Sequence, residues 1–113
     1  MSQFDSIAPF PGLREFEAGE YDRALPLLLP VAQAGHPEAQ CMIGNIYQLG
    51  LGSVAPDFQA AIAWYSRAAA LGYGVASNNL AGMYLSGVGV PVDRDRAWQL
   101  YEQARSQGFL AGE

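Results

Sequence analysis

Apolar residues recur along this chain at positions i, i+3, i+4 and i+7, and they do so three times at nearly the same interval. The segments ALPLLLPVAQAG (24–35), AIAWYSRAAALG (61–72) and AWQLYEQARSQG (97–108) align without a gap, 37 and then 36 residues apart, each opening on Ala and closing on Gly. Their apolar columns are Ala24, Leu27, Leu28 and Val31; Ala61, Trp64, Tyr65 and Ala68; and Ala97, Leu100, Tyr101 and Ala104. This spacing lines one face of an α-helix and excludes a strand, whose side chains alternate with period two. The first segment carries Pro26 and Pro30, both off the stripe and on the expected solvent face. A proline inside a helix removes a hydrogen bond and crowds the carbonyl four residues back, at a cost of about 3 kcal/mol, so a kink or a late helix start is expected there. The apolar run at 24–32 is about half the length a bilayer requires, and the prolines interrupt it, so no membrane span is expected.

A second pattern lies between these helices. AQCMIGNIYQLGLG (39–52) matches ASNNLAGMYLSGVG (76–89) 37 residues later, with Ala39/Ala76, Ile43/Leu80, Ile46/Met83, Tyr47/Tyr84, Gly50/Gly87 and Gly52/Gly89 in register. The spacing is again helical, and Tyr47 and Tyr84 fall on the expected buried stripe. Each Gly-x-Gly terminates a helix and permits a turn; Asp57 and Asp93, four residues before the Ala that opens the next stripe, are the expected N-caps. The repeating unit is therefore helix A, a Gly-rich loop, helix B and a Gly-ended link such as GHPEA.

The pattern A-x3-[LI]-[GA]-x2-Y-x2-G-x-G, then D, then A-x2-[WL]-Y-x2-A-x3-G resembles the Sel-one-like repeat family, a relative of the tetratricopeptide repeat with a longer, Gly-rich loop. The resemblance covers two repeats, 37–72 and 73–108, and residues 13–36 resemble a degenerate, tetratricopeptide-like first repeat; 1–12 form an N-terminal tail and 109–113 the C-terminal end. It implies an all-α fold, a right-handed superhelix of helix hairpins, with no cofactor, that holds other proteins, often in bacterial signalling, secretion or envelope stress. Some bacterial members clamp each repeat with paired cysteines, which the single Cys41 cannot do, and this argues against a periplasmic or secreted location.

Composition narrows the chemistry. The chain has 113 residues, enough for one domain, and a net charge of −5; its six basic residues are all Arg and mostly scattered, which argues against nucleic-acid binding. The absence of Lys removes P-loop phosphate binding, Schiff-base chemistry and Ser-x-x-Lys acylation. One cysteine and one histidine cannot build a structural zinc site. The N-terminus lacks a basic region followed by an apolar core, so a cytoplasmic protein is expected. Only 15% of residues are charged against 50% apolar, so much of the surface must be uncharged and able to bind.

Single residues read structurally before they read chemically. His36 sits in the GHPE link without a recurring acid or nucleophile. Cys41 lies one residue off the helix A stripe with no basic neighbour to activate it, which makes it an inert side chain or a groove liner. Trp64 and Tyr65 are expected in the core. Asp93 and Asp95 alternate with Arg in VDRDR and fit a capped, solvated helix start rather than a cation site.

The leading functional expectation is a non-catalytic binding module. Helix A of each repeat should line the concave side of the stack and hold a protein or peptide through residues just off the buried stripe: Cys41, Asn45 and Gln48, then Asn78, Gly82 and Leu85. A narrower version is a small acidic antitoxin or immunity-type inhibitor of a basic toxin. The alternative of another class, a hydrolase-like small-molecule site in the groove, would need a convergent acid and base, and none is visible in the sequence. At the other end of the stack, helix B of the last repeat keeps Trp98 and Tyr101, with Phe109 close by, where a following repeat would pack. This aromatic patch is the expected interface for a homodimer or a partner protein.

Overall fold

The computed structural model describes residues 9–109; the remainder of the N-terminal tail and residues 110–113 lie outside the described residues. Among the described residues every regular element is a helix. These are α1 (Leu13–Glu17), α2 (Tyr21–Gln33), α3 (Pro37–Leu49), α4 (Phe58–Ala70), α5 (Gly74–Ser86) and α6 (Arg94–Ser106). Successive helices pack on one another, most extensively as the pairs α3–α4 and α5–α6, with α2 on α3 and α4 on α5 joining one pair to the next. The fold is a short helical solenoid, in which α3 and α5 are the A helices and α2, α4 and α6 the B helices.

Local chemistry sets the boundaries. The carboxylates of Asp57 and Asp93 accept the backbone N–H of Ala60 at 3.0 Å and of Arg96 at 2.9 Å, capping α4 and α6 as expected. His36 does more than link. Its Nδ1 accepts the Ala39 N–H at 3.2 Å and caps α3, while its ring lies tilted against Phe10 with centroids 4.4 Å apart. At the other ends, Gly50 and Gly87 adopt left-handed φ values of 62° and 71° and donate to Ile46 and Met83 carbonyls. The Gly-rich loops close identically: the Asp57 N–H donates to the Tyr47 carbonyl at 2.7 Å, and the Asp93 N–H to the Tyr84 carbonyl at 2.9 Å.

The helix of the two prolines neither starts late nor breaks; α2 runs through Pro26 and Pro30 without interruption. Both prolines are exposed, and the carbonyls they leave without a donor belong to the exposed residues Asp22 and Pro26, where water can satisfy them. On the opposite face Ala24, Leu28 and Ala32 are fully buried, and that packing holds the helix where propensity alone would not.

The buried columns differ from those expected. Leu27 is exposed, Val31, Trp64 and Tyr101 are half-buried, and the interior positions of the B helices are Ala24, Leu28 and Ala32; Ala61, Tyr65, Ala68 and Ala69; and Ala97, Leu100 and Ala104. A B helix is covered by its own A helix on one side and by the next repeat on the other, so the buried arc is rotated from the single stripe that periodicity picks out. Trp64 sits at the margin, where the Arg67 guanidinium lies 4.4 Å over its ring. Tyr47 and Tyr84 are likewise half-buried rather than interior.

Polar groups close the ends of the B helices by two routes. The Gln40 side chain, itself buried, donates from Nε2 to the Ala32 carbonyl at 2.9 Å. One repeat on, position 77 is Ser, and Gln107 performs the task instead: its Nε2 donates to the Ala69 carbonyl at 3.0 Å while Ser77 Oγ donates to its Oε1 at 2.7 Å.

Two glycines separate packing from propensity. A Cβ added at Gly44 would lie 2.5 Å from Cε1 of the buried Tyr65 ring, whereas one added at Gly82 meets nothing within 4 Å. Gly44→Ala should therefore destabilise the fold by about 1–3 kcal/mol despite the better helix propensity of Ala. Gly82→Ala should stabilise it, by up to about 1 kcal/mol. Urea unfolding of the two variants checks the opposite signs.

Candidate functional site

The expected groove residues occupy three different environments. Cys41 is 3% exposed and belongs to the core between α3, α4 and α5, so it is not a groove liner. Asn45, Gln48, Asn78 and Gly82 are half-buried, and Leu85 is 40% exposed. Leu49 at the end of α3, which the sequence did not single out, is 62% exposed, and Val75 at the start of α5 is also exposed. Cys41 is displaced inward because it faces the seam between α3 and α5, which the second repeat covers.

Tyr65 organises this seam. Its ring is fully buried in α4, and its hydroxyl reaches Asn45 Oδ1 at 2.6 Å and Gln48 Oε1 at 2.8 Å on α3. A phenol has one hydrogen, so it donates to one of these two amide oxygens at a time. Asn79 on α5 completes the cluster, with Nδ2 at 3.5 Å from Asn45 Oδ1 and 3.6 Å from Cys41 Sγ. The network therefore spans α3, α4 and α5 and ties the two repeats together at the surface formed by their A helices. Asn79 was not legible in the sequence because its counterpart 37 residues earlier is Met42, so no polar column recurs there.

Burial pushes the Cys41 thiol up to about 12, with a smaller upward contribution from Glu38 and opposition from the Asn79 contact. Burial also raises Tyr65, and it pushes Tyr73 up to about 12. None of these groups is activated as a nucleophile or base near neutral pH. Among the described residues no three His, Cys, Asp or Glu side chains come together as a metal site, and no helix is long and apolar enough to cross a membrane.

The expected aromatic patch is also divided. Trp98 is 63% exposed and Tyr101 half-buried, with ring centroids 5.6 Å apart on α6. Phe109 does not join them: it lines a separate open cleft of about 390 Å³ with Gly72–Val75, Gln107 and Gly108. Its backbone N–H donates to the Ala104 carbonyl, which turns it back towards the start of α5.

Paired helices, left-handed glycine loops and an inter-repeat amide network define a helical-repeat protein. The Sel1 repeat family model matches residues 37–73 and 74–109, and the chain belongs to that family, whose repeats serve as protein-interaction scaffolds. The crystal structure of a Sel1 repeat protein from Oxalobacter formigenes is similar over 87% of this chain, with a TM-score of 0.81 and 32% identity, and this chain covers 40% of that one. Chitin synthase regulatory factor 3 of Schizosaccharomyces pombe is 38% identical over 66 residues, 58% of this chain and 7% of its own length. The chain thus spans less than half the length of one relative and a small fraction of the other.

The buried thiol generates a prediction. The unfolded chain releases the Cys41 proton near its ordinary value of 9.0 and the folded chain near 12, so the associated stability is intact below pH 9 and is lost as pH rises from 9 towards 12. Urea unfolding at intervals from pH 8 to 10.5 should show stability declining above pH 9. Cys41→Ala should flatten the first part of that decline, before tyrosine ionisation contributes.

Proposed function

We propose that this chain is a non-catalytic adaptor that holds an uncharged, extended segment of a protein partner along the A helices α3 and α5. The observation that carries this reading is the distribution of charge. The 26 residues of these two helices include a single ionisable acid or base of ordinary charge, Glu38, while α6 alone carries Arg94, Asp95, Arg96, Glu102 and Arg105. The exposed part of the A-helix surface instead mixes the amides of Gln48 and Asn78 with Leu49, Val75 and Leu85. Amides of this kind pair with a peptide backbone, and the aliphatic side chains offer shallow contacts for alternate residues of an extended chain. The open space over Gly82 gives such a chain room between the amides and Leu85.

The same distribution weighs against the acidic-inhibitor version. The B helices are on balance positive, and most of the negative charge lies on α1 and on capping or linking residues such as Glu20, Asp57 and Asp93, so an A-helix surface whose one carboxylate is Glu38 has little with which to attract a basic toxin.

Asn45 and Gln48 are poor sites for a test, because removing their amides also strips the Tyr65 hydroxyl of its partners. Gly82→Arg with Leu85→Glu obstructs the surface at open positions instead. A random-peptide phage library panned on the wild-type protein should yield uncharged sequences whose affinity falls at least about tenfold for the double variant. Ligands that bind the folded double variant and the wild type equally would overturn the assignment.

A further inference from the structure

The two Gly-rich loops close alike on their own A helices, but they are latched to the preceding B helix by opposite chemistry. In the first loop (50–57) the Gly52 backbone lies on the first turn of α2, where an added Cβ would meet Asp22 Oδ1 at 2.6 Å and Tyr21 Cβ at 3.1 Å. Asp22 Oδ1 accepts both the Ser53 N–H at 2.7 Å and the Ser53 hydroxyl at 2.8 Å. Among the described residues, these are the hydrogen bonds that join the loop to α2. In the second loop (87–93) the Gly89 backbone lies against Phe58 on the first turn of α4. Here Gln59 Nε2 donates to the Gly89 carbonyl at 2.6 Å. Asp22 and Gln59 share a column 37 residues apart, and so do Ser53 and Val90, so the second loop has no serine to donate and its latch runs the other way. The first latch is an ionisable acid; the second is neutral.

We propose that Asp22 makes the first loop a pH-sensitive strap, released from α2 when the carboxylate gains a proton, while the Gln59 latch of the second loop stays closed. Both Ser53 donors converge on one oxygen, and its charge is what lets it hold two short bonds. These bonds keep the carboxyl below its ordinary value of 3.8, the backbone N–H more strongly than the hydroxyl. A carboxyl lowered in this way favours the latched state above pH 3.8, and that preference is lost as pH falls through the lowered value. The other charges on the surrounding elements are engaged elsewhere or lie on α1: Glu20 and Arg23 pair at 3.9 Å, Asp57 caps α4, and α1 carries Arg14, Glu15 and Glu17. Ser53, and not one of these charges, has the largest influence on Asp22. Release has a structural consequence, because Leu51 and Val54 of the strap and Tyr21 of α2 are half-buried against the core between α2 and α3. An open strap bares these apolar side chains at the junction of the first two repeats.

Nuclear magnetic resonance of the full chain tests the strap through amide hydrogen exchange, corrected for the intrinsic effect of pH. The Ser53 N–H should lose protection at least about threefold between pH 6 and pH 2.5, tracking the Asp22 carboxyl resonance, while the Gln59 side-chain amide and the circular dichroism hold steady. Asp22→Asn keeps an oxygen for Ser53 but cannot ionise, so its Ser53 protection should not change over the same range. Ser53→Ala removes one donor and should move the Asp22 carboxyl midpoint up towards 3.8. The proposal fails if Ser53 protection is constant while Asp22 titrates, or if it falls as much in Asp22→Asn. It also fails if the Ser53 and Gln59 protections fall together, since release would then not be confined to the charged latch.

Discussion

The structure depends on one close approach: the Tyr65 ring fills space that exists only because residue 44 has no side chain. Without that contact α4 could not lie so near α3, and the Tyr65 hydroxyl would fall short of Asn45 and Gln48. The ring belongs to the same buried cluster as Ala61, Ala68, Ala76 and Leu80, so one side chain contributes to the core and reaches its polar margin. Small residues at these positions let a large aromatic serve as the joint between two thin layers of helix. The polar network at its tip then fixes α3 and α5 relative to each other.

In the proposed reading the A helices serve recognition, while the B helices carry the contacts that stack one repeat on the next. Along the seam between the A helices Asn79 reaches Asn45 and Cys41, and on the proposed reading this partial commitment of the amides would pre-organise them for a backbone ligand. Charge is segregated to surfaces that take no part in that seam. Repeat proteins gain their binding surfaces by this kind of stacking, each repeat adding residues to a shared face.

Much of the fold was legible in the sequence because repetition amplifies weak local signals. Asp57 and Asp93 as caps, and the glycine turns at Gly50 and Gly87, follow from residue chemistry that acts within a few positions. The burial of Leu27 and Cys41 was misjudged because it depends on what lies across the helix. Periodicity identifies an apolar stripe without saying that a second repeat rotates the buried arc away from Leu27 and covers Cys41. Asn79 and Gln107 escaped notice because their roles are not repeated at the same column; Gln107 substitutes across 30 residues for a glutamine that has become Ser77. The exposure of Leu85 was readable from its offset to the stripe, while the half-burial of Gln48 and Asn78 and the engagement of Asn45 with Tyr65 required the three-dimensional packing around Gly44.

The central claim is that α3 and α5 form one surface because the Tyr65 hydroxyl and the Asn79 amide share a network through Asn45. A double-mutant cycle of Tyr65→Phe and Asn79→Ala, followed by urea unfolding, measures that link directly. The account predicts a coupling of at least about 0.5 kcal/mol between the two positions, as for residues of one hydrogen-bonded network. Additive effects, agreeing within about 0.3 kcal/mol, would contradict it and would leave the two A helices as independent faces.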